Sequence, residues 1–255
     1  MPKSISSKTI NQALEKIRDF CITRADEKNK DRYKRFFTEG YDPYGISKEV
    51  WEAEKDGVIA AYIDDLGLSG CLDLGQELIK NGKYEEASFA LHSIMPFKDK
   101  YTPDTFQRVG TWLESGICNW AHSDILCDNI LAHFLAENIV DHEAMAAWRT
   151  APVKWKRRAV PVALRACLKT CKDCRPLVEF LRPLMLDPER VVQQGLGWFL
   201  RDAWKQDPGS VEAFLKEYKD TAPRLIFQYA TEKMPKTKKD AFRKTKSKPN
   251  RSSRL

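Results

Sequence analysis

Apolar side chains recur at three- and four-residue intervals along most of the chain, and no stretch alternates apolar and polar positions as a half-buried strand would. Residues 7–23 carry Ile10, Ala13, Leu14, Ile17, Phe20 and Cys21 on one stripe, residues 30–37 (KDRYKRFF) follow as a short basic aromatic helix, and GYDPYGI at 40–46 is a turn. Ser47 opens a helix through Trp51 to about Tyr62, with Glu49 and Glu52 loading its first turn. The same periodicity predicts helices over 73–81, 84–95, 103–114, 117–135, 141–148, 153–168, 175–186, 188–205, 210–218 and 222–232. Pro103, Pro152, Pro176 and Pro188 stand in or near first turns, where a missing N–H costs little. Pro161, inside 153–168, removes an interior hydrogen bond and predicts a kink or a later helix start. About a dozen short helices joined by short links predict an all-α fold, an α-solenoid of antiparallel helix pairs of the HEAT type with divergent repeats.

Composition narrows the class. The 255 residues are 42% hydrophobic and 31% charged, as in soluble globular proteins. No apolar run approaches the roughly 18 residues of a membrane span, and the polar N-terminus MPKSISSKTINQ lacks a signal-peptide core, so a cytoplasmic protein with no membrane partner is expected. Seven scattered cysteines read as thiols in so large a chain. Cys171 and Cys174, with Cys167 further off, lack the second pair or spaced histidines that zinc requires, and no glycine-rich phosphate loop or nucleophile elbow occurs. Neither a metal nor a cofactor is expected.

The net charge of +7 is unevenly placed. Residues 234–255 hold nine Lys or Arg against Asp240 alone, and read as a basic disordered arm appended to a single helical domain over 1–233. Within the domain, 39–77 is acidic, whereas 149–175 carries nine basic residues and one acid, Asp173. That basic segment is a plausible polyanion face, the alternative being a solvated helix surface.

The helix over 117–135 carries the candidate chemistry. Trp120 and Asp124, four residues apart, share a face, and polar Asn119, His122 and Ser123 cluster near its start. Periodicity alone favours the plainer reading, a core tryptophan and an aspartate facing the helix dipole. His122 lies on a different face from Asp124 and reads as a surface or DNA contact rather than a base.

Three motifs give this pair a context: NWAHSD at 119–124, KWKRRAVPVAL at 154–164 and VVQQGLGWFLRDAWKQDP at 191–208. Together they resemble the AlkD-like DNA alkylation-repair family, monofunctional glycosylases built of HEAT-like repeats, over about residues 32–233. The most specific parts are WxxRxA at Trp155 to Ala159 and QxxxGWxLR at Gln193 to Arg201. The resemblance implies that Trp120 and Trp198 contact the damaged nucleotide, that Asp124 is the catalytic carboxylate with Arg158 beside it, and that Tyr33 lies near the cleft. The chain departs from the family in Asn119 where a second tryptophan is usual, Ala121 where an aspartate is usual, and Pro161 in the basic helix. The implied reaction is hydrolysis of the N-glycosidic bond of cationic N3- or N7-alkylated purines. The implied partner is double-stranded DNA containing those purines, bound by a monomer along a curved surface. Arg149, Lys154, Lys156, Arg157, Arg158 and Arg165 would neutralise its phosphates. The competing expectation is a noncatalytic HEAT-like module that binds DNA or protein; relatives of that kind typically lack the acid that Asp124 supplies here.

An alkylated purine is already a good leaving group, so such a site needs chiefly a negative charge beside the sugar as it turns cationic. A carboxylate about 4 Å away contributes on the order of 4 kcal/mol at an effective dielectric near 20, about a thousandfold in rate. Tryptophan π faces add roughly 0.5–2 kcal/mol each toward a cation.

Overall fold

The computed structural model describes residues 7–37 and 39–243, and every regular element among them is helical. Residues 1–6 and 244–255, which include the start of the polar N-terminus and most of the basic arm, lie outside the described residues. The first half comprises α1 (Ser7–Thr23), α2 (Glu27–Lys34), α3 (Lys48–Ala60), α4 (Ile63–Asn81), α5 (Tyr84–Ile94) and α6 (Pro103–Ser115), with α4 packed against α1, α5 and α6. The second half comprises α7 (Trp120–Ile125), α8 (Ala132–Ala136), α9 (Lys154–Leu164), α10 (Arg175–Phe180), α11 (Arg190–Gln206), α12 (Pro208–Glu217), α13 (Arg224–Ala230) and α14 (Lys236–Ala241). Here α11 is the hub, packed against α9 on one side and α13 on the other. The fold is an α-solenoid of HEAT-like helix pairs, its core a continuous run of buried rings and aliphatic chains from Ile17 and Phe89 through Trp112 and Phe134 to Phe199 and Phe227.

Local chemistry sets the element ends. Asp26, Ser47, Asn119 and Asp207 cap α2, α3, α7 and α12 by accepting backbone N–H bonds, and Thr102 with Thr105 forms a reciprocal box at α6. The expected 30–37 helix begins earlier, at Glu27, because Asp26 offers the cap. The expected 175–186 helix splits into α10 and a short 3-10 turn at Arg182–Leu184, where Pro183 cannot donate. Pro161 does not delay its helix: α9 starts at Lys154, runs through the proline, and passes into a 3-10 turn at Arg165–Lys169.

Two corrections bear on the site. The helix expected over 117–135 is α7 and α8 joined by a π turn at Leu126–Leu131. Leu126, Cys127, Ile130 and Leu131 are all buried, and the wider π turn brings residues four and five apart onto one face. At the other end helical structure continues past residue 233, the boundary expected for the domain. α14 follows, and Met234 and Phe242 are 4% and 1% exposed, with Arg224 Nη1 donating to Phe242 O. These two side chains belong to the core.

Candidate active site

α7 enters the fold on Asn119. Its Oδ1 accepts from His122 N at 2.9 Å, while Nδ2 donates to Gly40 O at 3.1 Å and to His122 Nδ1 at 3.0 Å, so all its polar atoms are used. With Nδ1 accepting, His122 Nε2 donates to Ser88 Oγ at 3.0 Å, and the ring stacks on Tyr84 with centroids 4.4 Å apart. His122 is therefore neither a surface group nor a DNA contact. It is 2% exposed, and burial pushes its pKa down to about 3, leaving it neutral. Asn119, standing where the resembling family has a tryptophan, has become the cap that ties Gly40 to α7.

One helical turn on, Asp124 meets Arg158 from α9. Nη2 donates to Oδ1 at 2.8 Å and Oδ2 at 2.9 Å, Nε donates to Oδ1 at 3.1 Å, and Nη1 reaches Val191 O at 2.6 Å. The pair is nearly enclosed, with 6% of the Arg158 side chain and 18% of the Asp124 side chain exposed. Burial raises the Asp124 pKa above the usual 3.8, outweighing the pull of Arg158. A second cluster of charges acts on the first, and sequence reading had missed its two acids. Arg165 bonds Asp128 at 2.9 Å and Asp202 at 3.1 Å, and its guanidinium sits 3.6 Å from the centroid of the Trp198 ring. Asp128, four residues past Asp124, was visible as spacing; Asp202, three residues past Phe199 and one past the QxxxGWxLR motif, was not. Asp124 with Arg158, and Arg165 with Asp128, Asp202 and the Trp198 ring, thus form two neighbouring charge clusters, and Asp128 and Arg165 act on the Asp124 carboxyl through their charge.

The motifs explain themselves in these contacts. In WxxRxA, Trp155 and Ala159 are buried on either side of Arg158. In QxxxGWxLR, Gln193 Nε2 donates to Asp187 O and Pro188 O, and Arg201 pairs with Glu232. A side chain at Gly197 would put its Cβ 2.5 Å from Tyr229 Cβ and 2.8 Å from Ile226 O, so glycine lets α13 approach α11.

Trp120, four residues before Asp124 on α7, is 44% exposed. Its Nε1 donates to Phe36 O at 3.0 Å, and its ring stacks on Phe37 at 5.4 Å. Together with Tyr33, Tyr41, Trp51 and Tyr84 it lines a recess of about 460 Å³. Of these rings, sequence reading had named Tyr33 and Trp120 as candidates, without the recess. It missed the other rings, although six aromatics between residues 33 and 51 were a legible signal.

The basic residues expected to track phosphates are engaged with the protein itself. Arg149 Nη1 donates to Phe180 O and the guanidinium lies 4.0 Å over the Phe180 ring. Lys154 pairs with Glu39 and Glu189, and Lys156 with Glu114. Arg157 is held most firmly: Nε donates to Asp187 Oδ2 at 2.6 Å, Nη1 donates to Ala151 O and Pro152 O, and the Asp187 side chain is only 5% exposed. Among the described residues no three His, Cys, Asp or Glu side chains are grouped to hold a metal ion, and no helix is long and apolar enough to cross a membrane. All seven cysteines are free thiols.

Comparison with known proteins gives the chain its family. The model of the DNA alkylation repair enzyme family matches residues 17–234, so the chain belongs to that family. No curated protein matches at a significant level. Among solved structures, the chain is similar in fold to a predicted DNA alkylation repair enzyme from Enterococcus faecalis, with 14% identity and a TM-score of 0.68 over 84% of this chain and 98% of that one.

Proposed function

We propose that this protein is a DNA glycosylase that releases cationic N3- or N7-alkylated purines from duplex DNA. The observation that carries the reading is Asp124, an enclosed carboxylate one helical turn from the exposed ring of Trp120, at the position the family resemblance assigns to the catalytic acid. As the base leaves, positive charge moves to the deoxyribose, and Asp124 stabilises it and orients the attacking water. The lesion is already cationic, so no group need protonate the leaving base, and neutral His122 is not called upon.

Arg158 tempers this electrostatic gain. A sugar cation about 4 Å from the carboxylate and about 8 Å from the guanidinium gains roughly 4 kcal/mol from one and loses roughly 2 kcal/mol to the other, at an effective dielectric near 20. The remaining 2 kcal/mol or so is worth about thirtyfold in rate. Arg158 supports the acid in another way: three donated bonds hold both oxygens in one orientation before substrate arrives. Lys154 and Lys156 pair with acids whose side chains are 46% and 44% exposed. Such surface pairs are worth less than about 1 kcal/mol, so phosphates compete for these cations at little cost.

The same neutralisation by Arg158 favours the alternative, a noncatalytic DNA-binding module. Release of free 7-methylguanine or 3-methyladenine from alkylated duplex, followed chromatographically, separates the two: a glycosylase liberates base above the enzyme-free rate, and a module does not.

A further inference from the structure

Three thiols meet at the link between α9 and α10: Cys167 on the 3-10 turn at Arg165–Lys169, Cys171 in the irregular stretch that follows, and Cys174 at the N-cap of α10. The link folds back on itself. The Cys171 thiol donates to Asp173 O at 3.0 Å, which places Cys171 Sγ one peptide unit from Cys174, and the Cys174 thiol donates in turn to Cys171 Sγ. Cys174 is fixed from the other side, its backbone N–H donating to Asp207 Oδ2 at 3.1 Å while Asp173 Oδ1 accepts from Arg175 N at 3.0 Å. Cys174 is fully buried, whereas Cys171 is half-buried and open to solvent. Cys167 is also half-buried, and Cys171 adds to burial in raising its pKa. Among the described residues no grouping of three Cys, His, Asp or Glu side chains completes a metal site here. Two contacting thiols, one reachable and one behind it, are instead what a reversible disulfide requires.

We propose that Cys171 and Cys174 are a redox-active pair that closes to a disulfide by exchange with a small-molecule disulfide such as oxidised glutathione. The Cys171 thiolate attacks one sulfur of the oxidant, whose S–S bond breaks and releases a glutathione thiolate that takes up a proton. Cys174 then gives its proton to solvent, attacks Cys171 Sγ and expels the second glutathione. Two protein thiols and one glutathione disulfide become one protein disulfide and two glutathione thiols, with two electrons passing from the cysteine sulfurs to the oxidant. Cys171 is the point of entry because the oxidant reaches it and does not reach Cys174. Burial first, then Cys171, Asp207 and Asp173, push the Cys174 pKa up to about 12, so closure is the slow step and speeds up as pH rises. The bond joins residues outside the packed helices, on the link itself and at its junction with α10.

The test equilibrates the full chain in buffers of oxidised and reduced glutathione, quenches with acid, and reads intact mass and peptide maps. A thiol held beside its partner has an effective concentration of about 1 mM or more, so with reduced glutathione near 0.1 mM the internal disulfide should exceed the mixed disulfide at Cys171 by about tenfold. Cys118, which is exposed, reports how far an open thiol is converted in the same buffer. Excess reduced glutathione should return the pair to thiols. Cys174→Ala should stop the reaction at the Cys171 mixed disulfide, and Cys167→Ser should leave the internal disulfide unchanged. Cys171→Ser, at a half-buried position, should abolish it without emptying a core site, which keeps the test open where Cys174→Ala melts early. A wild-type chain carrying only the mixed disulfide at Cys171, or still reduced there when Cys118 is converted, would overturn the proposal. A mapped link between Cys167 and Cys171 would overturn it as well. Base release plays no part in these measurements, so the glycosylase reading stands or falls separately.

Discussion

Arg165 covers Trp198: the guanidinium lies 3.6 Å from the ring centroid while bonding Asp128 and Asp202. The π face that the family resemblance assigns to a damaged nucleotide therefore already carries a cation. A lesion using that face must displace Arg165, and phosphates are the natural place for the displaced guanidinium to go. Arg165→Gln should weaken binding to every duplex and flatten its salt dependence, yet raise the ratio of affinities for alkylated over normal DNA, by up to about tenfold. Filter binding across a salt series measures both. An unchanged ratio would place the lesion elsewhere than on this face of Trp198.

The buried setting of Asp124 predicts a pH dependence. Its pKa is raised above 3.8, first by burial and against the pull of Arg158. Two consequences have opposite signs. A raised carboxylate pKa means that the fold favours the protonated acid, a stabilisation complete below 3.8 and lost as pH rises through the folded pKa. The proposed reaction needs the ionised acid, so the single-turnover rate should fall as pH drops through that same raised value. With the enzyme-free rate subtracted, an acid limb centred above 3.8 is expected for the wild type. A rate flat down to that pH would show that no buried acid limits the reaction.

Neighbouring cations on α9 should separate into two kinds. Lys156, 14% exposed, pairs with a 44% exposed Glu114 that water can solvate when the pair opens, so Lys156→Glu should reduce DNA affinity and the salt slope together with little effect on melting. Arg157 closes a buried pair with Asp187, and Arg157→Ala leaves that carboxylate uncompensated, a change that costs about 3–5 kcal/mol. Thermal unfolding combined with salt-dependent binding distinguishes them. A lost salt slope with intact stability in Arg157→Ala would make it a phosphate contact.

Residues past 233 contribute side chains to the core. Ending the chain after residue 233 removes buried Met234 and Phe242 and should cost at least about 2–5 kcal/mol, the range for emptying one large core site. Ending it after Arg243 keeps both and should leave the melting temperature unchanged. Equal melting of the two truncated chains would contradict the placement of Phe242 in the core.

Much of the fold was legible because helix periodicity is a local property: Ile10, Ala13, Leu14 and Ile17 declare α1 without reference to any partner. The Trp120–Asp124 spacing was legible for the same reason. What stayed hidden depends on pairing between distant segments. The run over 149–175 looked like an open cationic face because its counter-charges, Glu39, Glu114, Asp128, Asp187 and Asp202, sit on other parts of the chain. His122 looked like a surface residue because Tyr84 and Ser88, which enclose it, arrive from α5. Phe242 was lost in a lysine-rich stretch, where one aromatic among many charges carries no periodic signal.

The most direct test of the account is single-turnover release of 7-methylguanine from a methylated duplex by the wild-type protein and by Asp124→Asn, below the melting temperature of both. Asparagine keeps an oxygen for Arg158 and removes the charge, so some loss of stability is expected from the unpaired guanidinium, and DNA binding should persist. The rate should fall between about thirtyfold, the value with Arg158 opposing the carboxylate, and about a thousandfold, the value for an unopposed charge. Excision by Asp124→Asn at the wild-type rate would contradict Asp124 as the catalytic acid, and absence of base release by the wild type would contradict the glycosylase itself.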